Sequence, residues 1–137
     1  MKSKTIILSI HPCYIEKIFS GEKLYEFRKI IPSDIQNIVV YATSPIKKIV
    51  AIIEVDKVIT GTPESIWKQT SKHSGVTKEF FMSYFRGKEK ASAIKIKRFI
   101  KLEQPKPLSC VGIKYAPQSF VYISDSRDFL KKISTDA

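Results

Sequence analysis

Short β-branched runs alternate along this chain with segments whose apolar residues recur at helical spacing. Thr5 to Ile10 is apolar and β-rich enough to form a central strand. Pro12 then suits the first turn of a helix carrying Tyr14, Ile15, Ile18 and Phe19 on one side, and Gly21 is its natural C-cap. Leu24 to Lys29 changes to a period of two, with Leu24, Glu26 and Arg28 on one strand face and Tyr25 and Phe27 on the other, core-directed face. Ile38 to Tyr41 and Lys48 to Val58 read as two strands around the loop Ala42-Thr43-Ser44-Pro45.

Thr62-Pro63-Glu64 opens a helix with a hydroxyl cap, a proline at the first position and an acid near the positive end of the dipole, so Ile66 and Trp67 turn inward. Thr77 opens another in the same way. Its stripe of Phe80, Phe81, Tyr84 and Phe85, closed by Gly87, is expected in the core, with base stacking the lesser reading. Lys90 to Leu102 follows as a long strand, with Ile94, Ile96, Ile100 and Leu102 on one face and Lys95, Lys97 and Lys101 on a wet, basic opposite face. After the Pro105 and Pro107 turn, Ser119 to Ile123 is expected as a closing strand and Asp125 to Ile133 as a C-terminal helix. About six strands with three or four short inserted helices predict an α+β fold, a small β-barrel flanked by short helices.

At 137 residues, one domain spanning 1–137 is expected, and no apolar run approaches the roughly 18 residues of a membrane span. The N-terminal apolar stretch is interrupted by Ser9, His11 and Pro12, which makes it a strand and not a signal peptide. Cys13 and Cys110 form no metal-binding pattern and support no disulfide, so reduced thiols and a cytoplasmic location are expected. Charge alters the picture most. The 24 Lys and Arg against 13 Asp and Glu give +11 and a pI near 9.7, which favours a polyanionic partner. Residues 86–106 hold eight basic side chains and only Glu89 and Glu103 as acids.

The densest polar constellation is Gly21 to Lys29. Glu26 and Arg28 project from one strand face about 7 Å apart at Cα, close enough to pair or to share a ligand, and Lys23 at the strand's entry can lean over the same mouth. The plainer use of Glu26 and Arg28 is a structural ion pair on a barrel rim. The run Gly21-Glu22-Lys23-x-x-Glu26-Phe27-Arg28-Lys29 resembles the signature of the ASCH domain family, within the PUA-like superfamily. Tyr41-Ala42-Thr43-Ser44-Pro45 with the Lys47-Lys48 strand after it, and Pro117-Gln118-Ser119-Phe120, extend the resemblance from Ile6 to about Ile123.

The resemblance implies a barrel whose signature strand lines a cleft facing RNA, in some relatives around a modified base. Its cleft residues map to Lys23, Glu26 and Arg28, to Ser44 and Lys47, and to Gln118 and Ser119. Long basic side chains would take phosphates, while Glu26, Gln118 and the hydroxyls read a base edge. Some ASCH-type proteins resemble an amidohydrolase of acetylated cytidine that uses a signature lysine, a threonine three residues later and a distant carboxylate. Here Glu26 stands at the threonine position, where a carboxylate cannot replace the hydroxyl nucleophile, and Glu79 is only a loose counterpart of the distant acid. Glu26 could instead act as a general base on water, with Lys23 or Arg28 stabilising an oxyanion, and a Lys/Glu/Arg set is also adequate for a ribonuclease.

The expected function is therefore RNA binding through the signature cleft and the basic face of Lys95, Lys97 and Lys101. The alternative is a small hydrolase, amidohydrolase or ribonuclease, using Lys23 and Glu26. A third class is a module that binds a small anionic metabolite. RNA is the expected partner, DNA a second polyanion that the charge would suit, and no membrane partner is expected; no residue argues for an oligomeric state. No cofactor or metal is called for: His11 and His73 lack partners at ligand spacing and read as caps or surface groups. Cys13 reads as a buried, inert thiol, Ser44 and Ser119 lack a triad, and Gly61, Gly75 and Gly87 form no phosphate-cradling loop.

Overall fold

The computed structural model describes residues 4–123, so the helix expected at 125–133 lies outside the described residues. In chain order the elements are β1 (Thr5–Ile10), α1 (Pro12–Ser20), β2 (Tyr25–Arg28), β3 (Asn37–Ala42), β4 (Lys48–Gly61), α2 (Pro63–Thr70), α3 (Lys78–Tyr84), β5 (Ala91–Lys106) and β6 (Phe120–Ile123). Single 3₁₀ turns cover Ser71–His73 and Leu108–Val111. The local signals place the ends. His11 caps α1 by accepting the Cys13 N–H at Nδ1 (3.2 Å), and Gly21 closes it at φ +86°. The hydroxyls of Thr62 and Thr77 accept the N–H groups of Ser65 and Phe80 at the starts of α2 and α3.

The strands form one sheet in the order β2-β5-β4-β3-β1-β6, with β1 parallel to β3 and every other pair antiparallel. The sheet curls into a half-barrel. Its curl shows in a side-chain contact: Arg28, on the edge strand β2, donates from Nη2 to the Ser9 carbonyl of β1 at 2.6 Å, although β1 lies near the far end of the strand order. The expected α+β small barrel with flanking helices is thus the fold observed.

Hydrophobic burial holds the layers together. Ile15 and Ile18 of α1 pack on Ile6, Ile38, Ile53 and Ile94 on one side of the sheet, while Ile7, Val39, Ile52 and Leu102 form a second cluster on the other. Ile66 of α2, Phe81 of α3 and Phe85 at the C-cap of α3 enclose Phe27, confirming that the aromatic face of β2 points inward.

Strand β5 departs from the simple alternation. Glu54 pairs with Arg98, Val55 with Ile96 and Lys57 with Lys95, so the register skips Lys97 on β5 and Asp56 on β4. Each skipped residue shifts the alternation of faces. Phe99 therefore joins Ile94 and Ile96 at the first cluster, whereas Ile100, expected inside, is 45% exposed. Lys95, Lys97 and Lys101 consequently do not share one face. Lys95 and Lys97 pair with Asp56 (3.5 Å) and Glu54 (3.4 Å), and Lys101 lies 5.1 Å from the Phe19 ring centre, on the Phe99 side.

Cys13 is exposed, not buried as expected, and both cysteines are free. Among the described residues no helix is long and apolar enough to cross a membrane.

Candidate functional site

The site is built where the segment after α1 meets the connector between α2 and α3. Three consecutive carbonyls of that connector accept from this region: His73 from the Leu24 N–H (2.9 Å), Ser74 from Lys23 Nζ (2.7 Å) and Gly75 from Lys17 Nζ (3.0 Å). The Lys23 N–H adds a bond to the Lys17 carbonyl at 3.0 Å. Gly75, at φ +71°, lies directly on the Lys23 stem. Lys23 is accordingly only 1% exposed, and its ammonium is held inside instead of reaching out to a phosphate.

Glu26 is 7% exposed and sits between two cations, Oε1 at 3.8 Å from Lys23 Nζ and Oε2 at 3.0 Å from Arg28 Nη2. The same Nη2 reaches Ser9 across the barrel seam. Burial lowers the Lys23 pKa from its ordinary value; the Glu26 carboxylate opposes this, while Lys17 and Arg28 add to it. Arg28 Nε is buried with no hydrogen-bond partner among the described residues.

These three side chains form the polar side of a cavity of about 180 Å³. Tyr14, Phe27, Phe80, Phe81 and Tyr84 supply its aromatic walls, with His11 and Val76 completing it. The Lys23 ammonium lies 4.8 Å from the Phe27 ring centre and 5.3 Å from that of Tyr14. Phe80, 47% exposed, is parallel to Tyr84 within 7° at 6.3 Å and stands 5.9 Å from Tyr14. Lys29 Nζ lies 4.7 Å from the Tyr84 ring centre. Burial raises the pKa values of both Tyr14 and Tyr84.

Lys23, Glu26 and Arg28 are thus brought together as the spacing predicted. Ser44 and Lys47 lie exposed on the β3–β4 turn and do not line the cavity. Gln118 and Ser119 do not line it either, but their segment approaches the seam: Ser9 Oγ donates to the Pro117 carbonyl at 2.8 Å. Glu79 is exposed on α3 and outside the cavity lining. His11, given no role from sequence, both caps α1 and lines the cavity. Phe80 and Tyr84 were expected in the core, with stacking only the lesser reading, and Tyr14 was expected on the apolar side of α1; all three line the cavity. Their signal was present in α3, where Phe80/Tyr84 and Phe81/Phe85 are two adjacent four-residue pairs, a stripe wider than one core-facing ridge. Among the described residues no group of three metal-ligating side chains occurs.

No family model matches the chain. It is 29% identical over 112 residues to an ASCH domain-containing ribonuclease of Zymomonas mobilis, covering 77% of this chain and 76% of the relative. It also superposes on a crystal structure of ASCH from Zymomonas mobilis with a TM-score of 0.85, at 23% identity over 96% of each chain. The chain has the fold of an ASCH domain. The chain is also 34% identical over 123 residues to large ribosomal subunit protein uL22 of Ureaplasma parvum, covering 88% of this chain but only 40% of the relative. It thus spans about two fifths of the ribosomal protein it matches. The segment from Gly21 to Lys29 lines the cavity through Lys23, Glu26, Phe27 and Arg28.

Proposed function

We propose that this chain is an ASCH domain that binds single-stranded RNA and holds one unpaired base in the aromatic-walled cavity. The observation that carries the reading is the joining of stackable rings, Phe80 and Tyr84 above all, to a buried Lys23–Glu26–Arg28 set in one cavity. Single-stranded recognition depends on this combination, because an unstacked base offers a π-face to aromatic rings and a polar edge to fixed hydrogen-bonding groups. Glu26 is the acceptor for a base edge, and Arg28 offers donors, including its unpartnered Nε. Phosphates of the flanking chain fall to Lys29 and to the exposed basic surface. Ser44, Lys47, Lys95, Lys97, Lys101, Gln118 and Ser119 are proposed to touch that flanking chain and not the base. The exposed free thiols suit a reducing compartment, and the cytoplasm is the proposed location.

A second reading, ribonuclease activity at the same cavity, draws on the name of the Zymomonas mobilis relative and on the Lys23–Glu26 separation of 3.8 Å. In that reading Glu26 takes the proton of a ribose 2′-hydroxyl as its oxygen attacks the adjacent phosphorus, Arg28 stabilises the charge that develops on the phosphate, and the 5′-oxygen leaves with a proton from solvent.

Fluorescence anisotropy of labelled single-stranded RNA, duplex RNA and duplex DNA across a salt series tests both readings, with the probes examined afterwards for cleavage. Binding is expected to prefer single-stranded RNA, to weaken with salt and to fall in Phe80→Ala. Equal affinity of wild type and Phe80→Ala for every probe would overturn base capture. Probe cleavage lost in Glu26→Gln would replace binding by ribonuclease activity as the primary role.

A further inference from the structure

Lys23 carries an ammonium that has no freedom to move away from whatever enters the cavity. Gly75 presses on its stem, and Ser74 takes one of its three N–H groups. Glu26 Oε1, at 3.8 Å, is too far to take a second in a direct hydrogen bond. No oxygen among the described residues takes its other N–H groups in a direct hydrogen bond, and only the Phe27 and Tyr14 rings face this buried cation on the cavity side. A buried charged donor left without an acceptor costs free energy, so the ligand that supplies an acceptor there is favoured over one that does not.

Resting on base capture, we propose that Lys23 makes the cavity selective for nucleobases bearing an exocyclic carbonyl, namely uracil, cytosine, guanine and hypoxanthine, over adenine. A carbonyl oxygen stands about 1.2 Å beyond the ring edge and so reaches an Nζ that cannot advance to meet it. Adenine places an amine in the corresponding position. That amine meets the ammonium donor to donor, and adenine's ring nitrogens lie flush with the ring edge. Arg28 reinforces the selection, since cavity cations outnumber the single Glu26 carboxylate and favour the negative end of a C=O dipole.

Inosine and adenosine 5′-monophosphates probe this property, because they share ring size and differ at position 6 by oxygen in place of the amino group and at N1 by a hydrogen that Glu26 could accept, so the Lys23 variant is what assigns the difference. Isothermal titration of both nucleotides with wild type, Lys23→Met and Phe80→Ala is the test. Inosine monophosphate is expected to bind wild type about tenfold tighter than adenosine monophosphate, the effect of one charge-assisted hydrogen bond. Lys23→Met should bring the two affinities together, mainly by weakening inosine monophosphate. If Lys23→Met does not fold, 1-methylinosine monophosphate, which keeps the carbonyl and lacks the N1 hydrogen, should retain the preference over adenosine monophosphate, and its loss would overturn the role of Lys23. Equal binding of the two by wild type, with Phe80→Ala weakening both, overturns the selectivity and leaves base capture in place. Affinities that Phe80→Ala does not change overturn base capture, and the selectivity with it.

Discussion

Gly75 lies against Lys23 more closely than any side chain could: a Cβ at Gly75 would stand 2.6 Å from Lys23 Cβ and 2.7 Å from Cγ. Both neighbours are fixed, the lysine by its bond to Ser74 and the glycine by the Lys17 bond to its carbonyl. Gly75 is therefore part of what sets the ammonium's position.

Gly75→Ala should destabilise by about 1–3 kcal/mol from overpacking, beyond the backbone cost at φ +71°. Gly21 is the control: it has φ +86° but nothing within 4 Å of its would-be Cβ, so Gly21→Ala should lose only about 1 kcal/mol. Denaturant unfolding compares the two, and equal losses would show that the Lys23 contact does not matter.

Arg28→Met removes the bonds to Glu26 and to the Ser9 carbonyl together and leaves the buried carboxylate with Lys23 alone. A loss of about 3 kcal/mol is expected, as for breaking a largely buried pair. Adding Glu26→Gln should recover part of it. A double-mutant cycle with no coupling between positions 26 and 28 would contradict the pairing.

Burial is the main cause of the lowered Lys23 pKa, so the folded state binds fewer protons at this site than the unfolded chain. The sign follows from linkage: the contribution of Lys23 to stability grows as pH rises through its folded pKa towards the ordinary value of 10.5, and is lost as pH falls. The Tm of wild type minus that of Lys23→Met should therefore increase between neutral pH and the ordinary lysine pKa. A flat or falling difference would mean that the ammonium is not penalised by burial.

Phe80 and Phe81 are neighbours with opposite duties. Phe81, 1% exposed and packed on Phe27 and Trp67, should cost about 3–5 kcal/mol as Phe81→Ala. Phe80→Ala should cost under about 1 kcal/mol of stability and yet weaken RNA binding about tenfold. Thermal unfolding and anisotropy together separate these effects, and a large stability loss in Phe80→Ala would return that ring to the core.

What the sequence revealed was local. The caps at Thr62, Thr77 and Gly21 and the β-branched run of β1 each depend on a few adjacent residues, and each element forms where those residues indicate. The Glu26–Arg28 pairing was legible for the same reason, being a two-residue spacing on one strand. Lys23 could not be seen as a buried group, because its burial comes from Ser74 and Gly75, some fifty residues away. Nor could the face of Lys101 be seen, since alternation along β5 is shifted by how β4 pairs with it at Asp56 and Lys97. The division of the α3 stripe into core and cavity rings likewise depends on the arrival of β2 and α1 beside it.

Tyr14 and Phe27 hold the Lys23 ammonium 5.3 and 4.8 Å from their ring centres. Rings so placed beside a carboxylate would ordinarily form a box for a positively charged guest, such as a methylated ammonium or a base alkylated on a ring nitrogen. In this molecule the guest is already tethered to the host. The box is filled from within, and a cationic visitor would meet a competitor whose local concentration no free ligand can match.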